Sequence, residues 1–261
     1  MHNCHYCQSD KLNRPCKNLN FYKCSSCGLY ARYPMPSKAE LNNLYSYSYS
    51  KNSISGSKIH QISPNIAHEN IGNFILSNFL NKKNCKNLLD FGAGTGGLVC
   101  AIKKLDSNGR YIVEGVETSK NAREYANSSI GEECVYQKIP ERVYDVITMI
   151  EVIEHLAKPW DDLIKINSIL SNEGCLIITT PNLNGLNSLL ARCNWREKKE
   201  PTHLIMFNKM YLSRLLYQSG FKTIEFIRFY PFSEKNIFQT IKTRALQFFG
   251  LHGGILVVAK K

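Results

Sequence analysis

Cys4 and Cys7, then Cys24 and Cys27, repeat a C-x2-C spacing with 16 residues between the pairs. Two such knuckles supply four thiolates, the ligand set of a closed tetrahedral Zn²⁺ site with bonds of about 2.3 Å. All four positions are filled by protein, so this zinc is expected to be structural rather than catalytic. Gly28 follows the second knuckle, where a turn exit favours a positive φ. Cys16 falls between the knuckles with no partner at ligand spacing. The start, MHNCHYC, lacks a basic segment followed by an apolar one, which argues against secretion. The ten cysteines are therefore read as reduced thiols or metal ligands, not as bridges.

A second constellation is the glycine turn GAGTGG. Gly92, Gly94 and Gly97 fit G-x-G-x-x-G, and Glu117 follows at the distance of an acidic residue that grips ribose hydroxyls, as for NAD. Gly92, Gly94 and Gly96 fit equally well the G-x-G-x-G turn that admits S-adenosylmethionine. Taken alone the motif leaves both open. A third constellation is Glu151, Glu154 and His155, with His203 later in the chain. The first three follow a strand end, where ligands sit in open α/β sheets. His155 and His203 are candidate general bases, a role that contributes roughly 10² to 10⁴ in rate.

These groups need elements to hold them. KNLLDF (86–91) is an apolar run entering the glycine turn, and 98–105 reads as the following helix. YIVEGV (111–116) is a second strand, with a helix over 119–126. YDVITMI (144–150) is a third. Pro159 suits the first turn of a helix to Leu170, and CLIITT (175–180) is a short strand stopped by Pro181. Asn208 caps a helix to Gln218, with Gly220 ending it. Residues 222–230 and 255–260 are the last strands, with room for a helix over 237–249, and the pair is open to antiparallel pairing. This alternation predicts a parallel sheet covered by helices on both faces. Ahead of it, 65–80 spaces its apolar residues as an amphipathic helix. Ser37 and Glu40 form a capping box for a short helix. Tyr45, Tyr47 and Tyr49 alternate with serines in a lid-like stretch, and Tyr47 and Tyr49 are candidate substrate contacts.

Asp90 immediately before the glycine turn, a predicted helix before the first strand, and the run of YDVITMI into EVIEHLAKP together resolve the cofactor. LLDFGAGTGG, VEGVET, YDVITMIEVIEHLAKP and GCLIITTPN, in that order and spacing, make residues 65–261 similar to class I S-adenosylmethionine-dependent methyltransferases. The resemblance implies an α/β, Rossmann-like seven-stranded sheet with the last strand antiparallel, preceded by a small zinc ribbon. It implies a ribbon at 1–33, a linker or lid at 34–64 and a methyltransferase domain at 65–261. Asp90, Phe91, Gly92, Ala93, Gly94 and Gly96 would cradle the methionine part of the cofactor. Glu117, with Thr118, would take both ribose hydroxyls, and Gln137 and Met149 would lie near adenine. Glu151, Glu154, His155 and His203 also resemble an E-x-x-E-H plus His cluster of metal-assisted methyltransferases, which implies a divalent ion that acidifies a hydroxyl.

The ribbon joined through CGLYARYPMPS to such a domain resembles a bacterial group acting on small molecules, and the front two-thirds of sugar C-methyltransferases. The expected reaction is O-methylation of a sugar or nucleotide-linked sugar for a surface polysaccharide. RNA methylation and C-methylation of a ketosugar are the alternatives. The net charge of +12 is unevenly placed: +4 over 1–50, −1 over 51–180 and +9 over 181–261. The excess therefore belongs to acceptor recognition, and an anionic or phosphate-bearing small molecule is the expected partner. No Arg-rich arm or N-P-P-Y-type motif points to nucleic acid. Between strands, 185–203 sets Arg192, Arg196, Lys198 and Lys199 around Trp195. That is a candidate substrate cap, with arginines on phosphate and the indole on a sugar or base face. No apolar run reaches the roughly 20 residues of a membrane span, and the expected location is cytoplasmic.

Overall fold

The computed structural model describes residues 3–37, 39–41, 43, 66–81, 85–228, 245–246 and 248–261. The amino-terminal strands are β1 (Leu12–Asn13), β2 (Phe21–Cys24) and β3 (Tyr30–Arg32). Helix α1 (Ile66–Ile75) continues into a π turn at Leu76–Leu80. The main alternation follows: β4 (Asn87–Phe91), α2 (Gly97–Leu105), β5 (Ile112–Val116), α3 (Lys120–Ile130), β6 (Val135–Tyr136) and β7 (Tyr144–Ile150). Then come α4 (Pro159–Ile169), β8 (Leu170–Pro181), α5 (Leu186–Ala191), α6 (Arg196–Lys199) and β9 (Ile205–Met206). Helix α7 (Lys209–Gln218), β10 (Thr223–Phe226) and β11 (Gly254–Lys260) complete the chain.

Seven strands form one sheet in the order β10-β11-β8-β7-β4-β5-β6. The β4 pairings with β5 and β7, and that of β7 with β8, are parallel, while β11 runs antiparallel to both β8 and β10. The central strands are mostly apolar because helices cover both faces. Their side chains divide with period two: Leu89, Ile147, Met149, Leu176 and Ile178 enter one core, and Leu88, Val146, Cys175 and Ile177 the other. The expected elements are present with shifted ends, and β6, α5, α6 and β9 are additions. Two-residue strands and one-turn helices carry too little periodicity to stand out in a sequence. The Ser37–Glu40 box forms reciprocally, with the Ser37 N–H donating to Glu40 at 2.7 Å and the Glu40 N–H to Ser37 Oγ at 3.3 Å. Tyr45, Tyr47, Tyr49 and most of 237–249 lie outside the described residues. Among the described residues, no helix is long and apolar enough to cross a membrane.

A second sheet has the order β1-β2-β3-β9. Its last strand comes from the far end of the chain, with Tyr30 opposite Met206 and Ala31 opposite Ile205. This pairing carries the amino-terminal segment onto the loop between β8 and α7. Phe21, Tyr30, Trp195 and Met206 close into a small core at the junction. One expectation fails here. Cys16, read as an unbridged thiol, forms a disulfide with Cys193, with Cα atoms 5.6 Å apart across a sequence separation of 177. A contact created by distant strand pairing leaves no local spacing to detect.

Candidate active site

The cofactor side is built at the carboxyl ends of β4 and β5. Asp90 is buried and pairs in register with Thr148 of β7, whose hydroxyl donates to its Oδ1 at 2.7 Å. Burial pushes the Asp90 carboxyl up to about 6, against the lowering effect of that hydroxyl. After Phe91 the chain turns sharply, with φ of +84° at Gly92, +53° at Gly94 and +81° at Gly96. A Cβ on Gly92 would sit 2.5 Å from Val152 Cγ2. Only glycine meets both conditions there. Ala93 is buried beneath the turn.

Glu117, just past β5, closes the turn from the other side. Its Oε2 accepts from the Gly94 N–H at 3.0 Å and its Oε1 from the Ser119 N–H at 2.7 Å. The exposed Thr118 places its hydroxyl 3.4 Å from Oε1. Arg123 braces this corner by donating to the carbonyls of Glu117 and Thr118 at 2.7 and 2.8 Å. A carboxylate offers about four lone-pair positions, so the two N–H donors leave room for two ligand hydroxyls once the Thr118 hydroxyl rotates away. Gln137 follows β6, whose Tyr136 carbonyl accepts the Glu117 N–H at 2.9 Å. Met149 is fully enclosed in the sheet core and presents no surface to a ligand. The glycine cradle, the buried acid and the two-sided carboxylate fit a methionine-bearing nucleoside.

The glutamate–histidine cluster lies one strand over. Glu151 ends β7 with a left-handed φ of +55°, a conformation that persists in a non-glycine residue only where its surroundings enforce it. Its N–H donates to the Thr179 carbonyl at 3.1 Å. Burial pushes its carboxyl up to about 7, and Glu197 reinforces this. Glu154 is buried and accepts from Thr180 Oγ1 at 2.9 Å, while its other oxygen has no partner. Burial and the neighbouring Glu151 push it well above the usual carboxylate range.

His155 and His203 come together with ring centroids 4.7 Å apart, edge to face. His155 Nδ1 faces the Thr202 carbonyl and His203 Nδ1 the Glu197 carbonyl, each at 3.0 Å. A nitrogen bonded to a carbonyl carries the proton, which makes Nε2 the basic nitrogen of both rings. Burial holds His155 down to about 4, and it lowers His203 as well. One ligand atom each of Glu154, His155 and His203 lies within 4.8 Å of the others, a spacing a divalent ion can bridge with small adjustments.

The expected substrate cap divides. Arg192 and Arg196 are exposed. Trp195 is buried against Phe21 and Tyr30, which makes it junction packing more than an open stacking face. Lys198 is also buried, donating to the Arg192 carbonyl at 3.0 Å. Asn187, Leu190, Ala191, Trp195, Arg196 and Glu197 line an open cleft of about 660 Å³, large enough for a sugar. Glu197 links this cleft to the histidines, with its Oε2 3.5 Å from His203 Nδ1.

The four amino-terminal cysteines converge as their spacing predicts. Sγ atoms of Cys4 and Cys27, and of Cys7 and Cys24, are 3.6 Å apart, and all four lie within 4.8 Å of one another. Zn–S bonds of about 2.3 Å at tetrahedral angles place sulfurs about 3.8 Å apart, so the cluster fits a zinc ion.

A sequence family described as methyltransferase domain matches residues 64–225. The chain belongs to that family, and is an S-adenosylmethionine-dependent methyltransferase. No curated protein matches its sequence. Among solved structures, it is similar to the plantazolicin methyltransferase BpumL in complex with a triazolic desmethylPZN analog and SAH. The two are 16% identical with a TM-score of 0.56, covering 86% of this chain and 99% of that one. A Thermotoga maritima S-adenosylmethionine-dependent methyltransferase, described as a possible histamine N-methyltransferase, is 17% identical with a TM-score of 0.52, covering 75% and 89%. The [4+2]-cyclase SpnF is 16% identical with a TM-score of 0.57, covering 87% and 98%. At these identities the likeness shows the fold alone.

Sequence reasoning about this methyltransferase missed the groups that orient its site: Thr148 under Asp90, Thr179 and Thr180 beside the two glutamates, and Glu197 and Arg32 beside His203. The register partner of Asp90 could have been found by aligning the two strands. Thr179 and Thr180 lie on β8, and Glu197 and Arg32 reach His203 from α6 and β3, remote segments that meet only through sheet pairing.

Proposed function

We propose that this enzyme methylates a hydroxyl of a sugar or nucleotide-linked sugar, in the cytoplasm, on a route to a bacterial surface polysaccharide. The observation that supports this reading best is the junction of two features. A cluster of proton-accepting groups, Glu151, Glu154, His155 and His203, adjoins a cleft of sugar size that carries Arg196. Asp90, the Gly92–Gly96 backbone and Glu117 would hold the cofactor, which when bound supplies an activated methyl group on a sulfonium. Residues 65–261 would then be the catalytic unit, with 1–33 as a zinc-stabilised ribbon.

An alcohol oxygen is a weak nucleophile until a base takes its proton, and a base works best with a pKa near the operating pH. Glu151, at about 7, meets that condition better than His155, at about 4. Glu151 and His203 are accordingly the stronger base candidates, and His155 helps to shape the pocket. Arg196, exposed at the cleft, would bind a phosphate of the acceptor with its planar fork. A screen of nucleotide sugars with methyl-labelled cofactor tests the reading. A labelled product heavier by one methylene is expected, and its loss in Glu151→Gln places the base. Turnover on RNA, with strongly salt-dependent binding and none on any sugar, refutes it.

A divalent ion on Glu154, His155 and His203 is the second reading, favoured by their convergence. It would acidify the same hydroxyl as a Lewis acid. Turnover that survives chelation, with the ribbon zinc retained, removes it.

A further inference from the structure

We infer that the zinc ribbon is a working part of the acceptor site, and that Arg32 is the positioning residue joining them. Arg32 is the last residue of β3. Its Nε donates to the His203 carbonyl at 2.7 Å and its Nη2 to the Glu200 carbonyl at 2.6 Å. Its backbone N–H donates to the Leu204 carbonyl at 2.8 Å. One ribbon residue therefore grips three successive parts of the 200–204 turn.

That turn orients both imidazoles. It carries His203 itself, and its Thr202 carbonyl accepts the proton of His155 Nδ1. Its Leu204 N–H donates to the Glu154 carbonyl at 2.8 Å, and its Thr202 hydroxyl to Glu200 Oε1 at 3.1 Å. The Arg32 guanidinium also lies over the Phe21 ring, 4.8 Å from its centroid, so the fork is held before the turn meets it. A lysine is a single point donor and cannot reproduce a two-carbonyl fork.

Backwards from Arg32, the strand hangs on the second zinc knuckle. The Gly28 N–H donates to the Cys24 carbonyl at 3.0 Å and the Cys24 N–H to the Leu29 carbonyl at 2.8 Å. Arg214 of α7 donates to the Cys27 carbonyl at 2.9 Å. Zinc fixing Cys24 and Cys27 thereby fixes the start of β3, and β3 fixes the histidine turn. Asp90 and Glu117 share no hydrogen bond with this chain of contacts and meet it only through the common apolar core of Leu89, Val116, Cys24 and Cys27, so zinc loss acts first on the acceptor side. The inference holds whatever the acceptor is.

The test uses the full-length zinc-loaded protein, its chelated form, and the variants Arg32→Met and Arg32→Lys. Amide hydrogen exchange is read at 203–206 and at β4, imidazole ¹⁵N signals at His155 and His203, and affinity with S-adenosylhomocysteine as probe. In Arg32→Met, exchange at 203–206 is expected to rise about tenfold or more, the equivalent of losing one charge-assisted bond. Both ring signals move, while β4 exchange and probe affinity stay within about twofold. Chelation of the wild type reproduces this pattern, and Arg32→Lys falls between. Unchanged exchange and ring signals on chelation or in Arg32→Met overturn the inference. Loosening spread equally over β4 also overturns it, as general destabilisation. Should Arg32→Met not fold, wild-type ring signals in Arg32→Lys overturn it.

Discussion

Replacing Glu117 by alanine isolates the cofactor side of the site. Two of the carboxylate's lone-pair positions are committed to the Gly94 and Ser119 N–H groups, and once the long 3.4 Å bond from the exposed, rotatable Thr118 hydroxyl gives way, two remain for ribose hydroxyls. A hydrogen bond to a charged group contributes about 1.5–3 kcal/mol, so losing two removes at least about 3 kcal/mol. At about 1.4 kcal/mol per tenfold, affinity for S-adenosylhomocysteine should fall roughly a hundredfold or more. Titration calorimetry on wild type and Glu117→Ala measures it directly. The variant also frees the Gly94 and Ser119 N–H groups, which lie at a half-buried turn. Thermal unfolding of the cofactor-free variant, measured alongside, separates lost contact from lost fold. Affinity within about threefold of wild type, in a folded variant, refutes the assignment of Glu117 to the ribose.

Three further outcomes follow from the same geometry. Gly92→Ala meets a left-handed φ and a 2.5 Å contact with Val152, together about 2–5 kcal/mol. It should lower the melting temperature by on the order of 10 °C; Gly109→Ala, with φ +58° and open space, should lower it far less, and equal losses refute the steric argument. Asp90 holds its proton to about 6 when folded, against 3.8 as the ordinary value. Stability of the cofactor-free protein should fall as pH rises between about 4 and 6, because there the native state binds more protons than the unfolded one. Denaturant titrations should show that slope reduced in Asp90→Asn; an identical slope refutes it. Thiol titration of unreduced, denatured and metal-free protein should find eight reactive cysteines, not ten; ten refutes the Cys16–Cys193 bridge.

Much of the molecule was legible locally. The C-x2-C pairs, the glycine turn and the acid after it work through chain-adjacent geometry, so spacing alone specified a cysteine cluster that fits zinc and a cofactor turn. The central strands declared themselves because burial on both faces demands unbroken apolar runs. The packing of Trp195 was not legible, because an aromatic among basic residues looks the same in sequence whether it faces ligand or core; its neighbours Phe21 and Tyr30 lie far away in the chain.

The sequence by itself determined the fold class, the cofactor turn and the four-cysteine cluster, since each is announced by residues a few positions apart. Only the tertiary structure decided how the glutamate–histidine cluster is assembled. The pairing of β3 with β9 brings Arg32 to His203 and Cys16 to Cys193 across more than half the chain. Desolvation within the Glu151, Glu154, His155 and His203 cluster then raises the proton affinity of the two acids and lowers that of the two imidazoles. Both effects arise from contacts between remote segments and from exclusion of water, and neither is written in the spacing of residues along the chain.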